Sequence, residues 1–285
     1  MNDQKIKALI SLLDDEDTEV VAMVEKEIMS LGEQVIPFLE NEWEKNFNPI
    51  VQKRIEDLVH HLHFDLLKSR LMSWKEQRSN DLLEGMWLVA TYQYPDLEYQ
   101  KIKSALEQIY YETWLNLDND LLPTEQIKII NHVLFSQLKF SANTKNFHSP
   151  SNSMINVVLE TKKGNPISLC VIYMLVAQKL KLPVYGVNLP NLFILVYKSK
   201  DTQFYINAFN KGLIFSKADI DNYLANLNLA RHEMFYEPCS NIEIIKRVFR
   251  NLILSFEKLG ENSKADEIKI LLSFLNDGKE DTYDF

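Results

Sequence analysis

The sequence predicts an α+β fold, mostly helical, with one small antiparallel sheet late in the chain. Three observations carry this. Glycine and proline are scarce, 7 and 9 of 285 residues, which disfavours a loop-rich or all-β architecture. Apolar residues keep helical spacing through most of the first 140 positions. After Pro183 the pattern changes to short β-branched or aromatic runs separated by turn residues.

Composition bounds the function. The chain is 46% hydrophobic with 15 Phe and 12 Tyr, enough for a substantial core. A net charge of −9 reads as a solvated surface, spread along the chain apart from acidic clusters at 14–19 and 280–284. No basic stripe is present, which argues against nucleic acid as a partner. Cys170 and Cys239 lie far apart and suggest reduced thiols, not a disulfide framework. Met1 to Lys5 lead into an amphipathic helix, not a signal-peptide core, and no apolar run approaches ~18 residues. A cytoplasmic protein without a membrane partner is expected.

The elements follow in order. Residues 17–32 superpose on 48–63 at an offset of 31, matching Val20 with Val51, Val24 with Ile55, Ile28 with Val59 and Leu31 with Leu62. With the amphipathic stretch beginning at Val35 between them, these look like a short HEAT-type array of paired helices. Helical spacing predicts further helices over 66–76, 80–92, 98–116 and 124–138. The period disappears over 140–152, a Ser-, Asn- and Pro-bearing loop, and a short helix follows over 154–162.

Gly164 breaks before Asn165, a good N-cap, and Pro166, suited to a first helical position. The helix they open runs to Leu180, apolar on nearly every face and therefore central. Strands are predicted over 184–189, 193–198, 203–207 and 213–215, and helices over 216–226, 241–259 and 263–275. The last two resemble a tetratricopeptide-type helical hairpin, and residues 277–285 form an acidic tail.

Between Leu134 and Gly212 a series of motifs becomes specific. It comprises Leu134-Phe-Ser-Gln-Leu-Lys-Phe, Pro150-Ser-Asn-Ser-Met-Ile-Asn-Val-Val-Leu-Glu, Lys163-Gly-Asn-Pro-Ile-Ser-Leu, Lys181-Leu-Pro-Val-Tyr-Gly-Val-Asn-Leu-Pro and Phe209-Asn-Lys-Gly. Together they resemble the bacterial SirB-type family of transglutaminase-like proteins, whose core is papain-related. Four segments are expected: a HEAT-like array over 1–70 from the internal repeat, the transglutaminase-like core with its helical lead over 71–235, a tetratricopeptide-like hairpin over 236–276, and the acidic tail.

Active relatives need a cysteine at the start of the central helix, a histidine on the next strand and an acid after it. Their Gly-Asn-Cys falls on Gly164-Asn165-Pro166. The Gly-x-Pro version also occurs within the SirB type. The family's Pro-Gly-His-Phe falls on Pro190-Asn191-Leu192-Phe193, and Asp-Pro-Phe falls on Asn207-Ala208-Phe209. Proline cannot attack, leucine cannot accept a proton, and asparagine cannot carry the charge that orients a base. The resemblance thus implies a degenerate triad at Pro166, Leu192 and Asn207, in a cleft lined by Asn165, Asn191 and Asn207.

Three residues are weighed as replacements. Cys170 is one turn past Pro166 on the same face, but free cysteines are commonly buried packing residues. Ser168 lies in the first turn, where serines bond locally to the cap. His148 is in the preceding loop, without a visible partner. His60, His61 and His63 have no cysteine or suitably spaced acid to complete a metal site, and no phosphate loop or dinucleotide fingerprint occurs, so neither metal nor cofactor is expected. The aromatic group Tyr92, Tyr94, Tyr99, Tyr110, Tyr111 and Trp114 reads as core and helix-contact surface. The expected function is a catalytically inactive, transglutaminase-like binding, scaffold or regulatory module with a protein or peptide partner. The alternative is a thiol- or serine-dependent hydrolase or acyltransferase with a relocated nucleophile.

Overall fold

The computed structural model describes residues 3–276 apart from Asn119, so the acidic tail over 277–285 lies outside the described residues. The chain divides into two compact units, Met1–Arg70 and Leu71–Phe285.

The first unit holds α1 (Asp3–Ser11), α2 (Thr18–Ser30), α3 (Ile36–Lys45) and most of α4 (Pro49–Ser73). Asp17 caps α2 by accepting from the Glu19 N–H at 2.8 Å. The helices close a core of their own around Ile6, Leu13, Ile28, Leu39 and Leu62. Val24 and Ile55, equivalent in the internal repeat, are both buried in it, whereas Val20 and Val59 pack at its margin. The expected interruption near residue 64 is absent, and α4 runs unbroken to Ser73. No Gly or Pro stands between Pro49 and Ser73 to end it.

The second unit begins with a π-helical turn (Trp74–Arg78), then α5 (Leu82–Thr91), α6 (Tyr99–Trp114), α7 (Pro123–Asn131) and another π-helical turn (His132–Gln137). β1 (Ser141–Ala142), α8 (Ile155–Thr161) and β2 (Lys163–Gly164) lead to α9 (Pro166–Lys179). Residues 140–152, expected as loop, contribute β1, which pairs in parallel with β2. Strands β3 (Val184–Leu189), β4 (Leu192–Lys198), β5 (Gln203–Asn207) and β6 (Leu213–Phe215) form an antiparallel sheet in chain order. Helices α10 (Lys217–Asn226), α11 (Asn241–Leu259) and α12 (Asn262–Leu275) follow. The fold is therefore α+β and mostly helical, as the sequence implied.

Alternation along the strands separates two layers. Val187, Leu189, Ile194, Val196 and Tyr205 pack with Ile220 and Leu224 of α10 and with Phe235. The helix α9 packs on β3 and β4, and it is buried nearly all round. The hairpin of α11 and α12 turns at Gly260, whose φ of +76° suits a residue without a side chain, and α11 packs against α5 and α9. Among the described residues no helix is long and apolar enough to cross a membrane.

Candidate functional site

The start of α9 is built from hydrogen bonds that the sequence largely encodes. Asn165 Oδ1 accepts from the Ser168 N–H at 2.9 Å, and the Asn165 N–H donates to Ser168 Oγ at 3.1 Å, a reciprocal capping box. Asn165 Nδ2 donates to Ser153 Oγ at 2.9 Å. Pro166 takes the first helical position, where its missing N–H costs nothing. Gly164 is required here: a Cβ would collide with Ser168 Oγ and stand 3.0 Å from Val158 Cγ1.

The preceding loop is latched onto this start. The Ser141 N–H donates to Lys162 O at 2.8 Å and the Asn143 N–H to Gly164 O at 3.0 Å. Asn143 Nδ2 donates to Asn152 Oδ1 at 2.8 Å, while Asn152 Nδ2 donates to the carbonyls of Asn146 and Phe147.

One turn into α9, the Cys170 thiol donates to Phe193 O at 3.5 Å, and the Ala208 N–H faces its sulfur. Phe193 follows Leu192 and Ala208 follows Asn207. β4 begins at Leu192 and β5 ends at Asn207, and the two strands are antiparallel, so both residues come from one end of the sheet. The structure thus gathers the first two turns of α9, the start of β4 and the end of β5 at one place. Pro166, Leu192 and Asn207 are each half-buried, and the Leu192 side chain packs on the α10 side of the sheet.

Asn207 Oδ1 accepts from the Asn210 N–H at 3.1 Å and so caps the short turn Ala208–Asn210. Asn191 is exposed at the tip of the β3–β4 turn with φ +58°, a left-handed conformation that asparagine tolerates. Asn188, opposite Phe193 in the β3–β4 ladder, leaves a buried Oδ1 with no hydrogen-bond partner among the described residues.

The three replacement nucleophiles and bases are not brought together. Cys170 is 0% exposed, and burial pushes its thiol far above the ordinary range. Ser168 is 1% exposed with its hydroxyl in the cap, donating to Asn165 O at 3.2 Å. His148 is exposed and its Nε2 accepts from Lys258 Nζ of α11 at 2.8 Å. Cys170 and Cys239 are both free thiols. Among the described residues no cluster of three His, Cys, Asp or Glu has the geometry to hold a metal ion.

Sequence reasoning missed the group that fixes the Phe209–Gly212 segment. Asn131 Nδ2 donates to Gly212 O at 2.8 Å, while its Oδ1 accepts from Tyr173 OH at 2.9 Å. Gly212 has φ +74°, and a Cβ there would lie on Asn131 Oδ1. A single asparagine in an amphipathic helix gives no sequence signal of such a role.

Comparison with known proteins agrees with this architecture. The sequence profile described as "Transglutaminase-like superfamily" matches residues 100–250, more than half of the chain. A UPF0162 protein of Xylella fastidiosa is 34% identical over 133 residues, covering 46% of this chain and 47% of that protein. The UPF0162 protein YchA of Escherichia coli K12 is 26% identical over 207 residues, 71% of this chain and 76% of YchA. F-box only protein 21 of Mus musculus is 27% identical over 159 residues, 53% of this chain and 24% of the mouse protein. The chain spans about half the length of the curated Xylella relatives it matches. No solved structure matches. With the profile lying across α9, the four-stranded sheet and the turns that join them, the chain belongs to the transglutaminase-like superfamily.

Proposed function

We propose that this core works without acyl-transfer chemistry, as a binding, scaffold or regulatory module for a protein or peptide partner. The observation that carries the reading is the set Pro166, Leu192 and Asn207. These residues stand where the superfamily's nucleophile, base and orienting acid are expected, and none can perform those steps. The surroundings support it. Asn207 serves as a turn cap, Ser168 as part of a helix cap, and Cys170 is sealed under the sheet with its proton retained. The relocated-nucleophile alternative needs Cys170 or Ser168 open to solvent beside a base, and His148 is paired with Lys258.

The same reading places the chain in the SirB-type branch, on its Gly-x-Pro helix start and the Phe-Asn-Lys-Gly turn. It takes the first unit as HEAT-like and the α11–α12 hairpin as tetratricopeptide-like, both of which present helix faces to partners. Two free cysteines fit a cytoplasmic setting.

The test is to incubate the full chain with a glutaminyl peptide, a fluorescent alkylamine and, separately, a chloroacetamide thiol probe. No amine incorporation is expected, and Cys170 stays unlabelled until the protein is unfolded. Incorporation above the uncatalysed rate that disappears in Cys170→Ser or Ser168→Ala would overturn the reading.

A further inference from the structure

The charge of the chain is less evenly distributed than its total suggests. Residues 1–70 hold 15 Asp and Glu against 8 Lys and Arg, so this unit carries −7 of the whole −9. It lies outside the superfamily match at 100–250.

Within this unit α3 and α4 enclose a groove of about 330 Å³ lined by Glu40, Trp43, Glu44, Ile55, Glu56 and Val59. Its floor is apolar, with Ile55 part of the buried core, and Trp43 is 39% exposed at its wall. Three carboxylates form the rim. Glu56 accepts from Trp43 Nε1 at 3.1 Å and lies 3.8 Å from Lys53, which pairs more closely with Asp57 at 2.8 Å. Glu40 and Glu44 form no ion pair among the described residues. Two large apolar side chains are exposed beside it, Phe47 at 94% in the connection between the helices and Ile50 at 62% in the first turn of α4. An apolar slot with an aromatic wall, anionic on its rim, complements a cationic amphipathic segment.

We propose that the α3–α4 groove docks a basic segment of a partner protein. That segment places an apolar side chain over Ile55 and Val59, and Lys or Arg on either side against Glu40, Glu44 and Glu56. Trp43 supplies the flat surface on which a guanidinium or an aliphatic stem lies. This site is independent of whether the transglutaminase-like core is catalytic.

The full chain is used as bait for a displayed library of random 16-residue peptides, and the enriched peptides are then titrated by fluorescence anisotropy. Enriched sequences are expected to be net positive with basic residues flanking an apolar one. Binding should weaken at least tenfold in Glu40→Lys/Glu44→Lys, whose thermal midpoint should stay near wild type because both side chains are exposed. Glu160→Lys/Asp201→Lys changes the net charge equally, on exposed positions of the second unit, and should weaken binding less than threefold. The proposal fails if no peptide is enriched or if neutral or acidic peptides dominate. It fails equally if the two double variants weaken binding alike, since that outcome reports net charge and not a groove.

Discussion

Replacing Asn165 by alanine tests whether the start of α9 is held as described. The substitution removes the oxygen that caps Ser168 N and the amide that donates to Ser153 Oγ. Loss of an asparagine N-cap costs about 1 kcal/mol. Ser153 is 1% exposed, so its hydroxyl is left without that partner and out of reach of water, a further cost of about 2 kcal/mol. In a unit of this size about 3 kcal/mol lowers Tm by roughly 6–12 °C. Differential scanning calorimetry reads the shift. Ser168→Ala removes the reciprocal half of the box and costs about 1 kcal/mol. Because both variants break one network, the double variant should fall short of the sum by about 0.5 kcal/mol or more. An Asn165→Ala shift below 2 °C, or strict additivity, would show that no such box forms. Ser168 Oγ would then be free to act as the rescue nucleophile requires.

Gly212→Ala should abolish soluble expression or lower Tm by more than 10 °C, because both φ +74° and Asn131 oppose a Cβ; Gly260→Ala, with φ +76° but open space, should cost only about 1–2 kcal/mol. Burial pushes Cys239 up to about 12 and Cys170 further, so the folded state holds both protons more tightly than the unfolded chain. The thiols' contribution to stability should therefore be level below pH ~9 and fall above it by about 1.4 kcal/mol per pH unit per thiol, a slope that Cys239→Ala reduces in urea titrations. Pro166→Cys places a thiol at the N-terminus of α9, and adding Leu192→His should shift the midpoint of its alkylation–pH profile down by about one unit; an unmoved midpoint would separate the two positions.

Much of this fold was legible because apolar periodicity reports burial directly. Strand limits after Pro183 and the limits of α9 were read within a residue or two, since Asn165, Pro166 and Pro183 act locally. The repeat that matches 17–32 with 48–63 predicts a break in α4 near residue 64, although nothing there terminates a helix. The pairing of β1 with β2 joins segments about twenty residues apart with no β-branched signal, and it depends on the loop being latched by Asn143 and Asn152. The π-helical turns at Trp74–Arg78 and His132–Gln137 leave the usual apolar spacing intact and are silent in sequence. The charge asymmetry could have been counted, but the acidic clusters at the two ends made the total look dispersed.

The residues at the proposed triad positions each suit the backbone they occupy, and this allows a last test of whether the place is an open groove or a filled one. Pro166 favours the helix start, Asn191 tolerates the left-handed turn, and Leu192 adds its side chain to the core under α10. Asn207 caps its turn, a role that aspartate performs equally well. Asn207→Asp therefore keeps the cap and adds one charge at a half-buried point. If the place is open, water and the Asn210 N–H solvate the carboxylate and depress its pKa, so the variant loses stability relative to wild type only as pH falls below about 4. If side chains fill it, desolvation raises the carboxyl pKa, so the variant matches wild type near pH 4 and loses stability as pH rises through the raised value. We expect the open result, with Tm within about 2 °C of wild type at pH 7.5, because the proposed partner-binding cleft must admit water when empty. A variant destabilised at pH 7.5 and restored at pH 4.5 would mean that the ancestral cleft is closed. Partner binding would then rest on the helical surfaces alone.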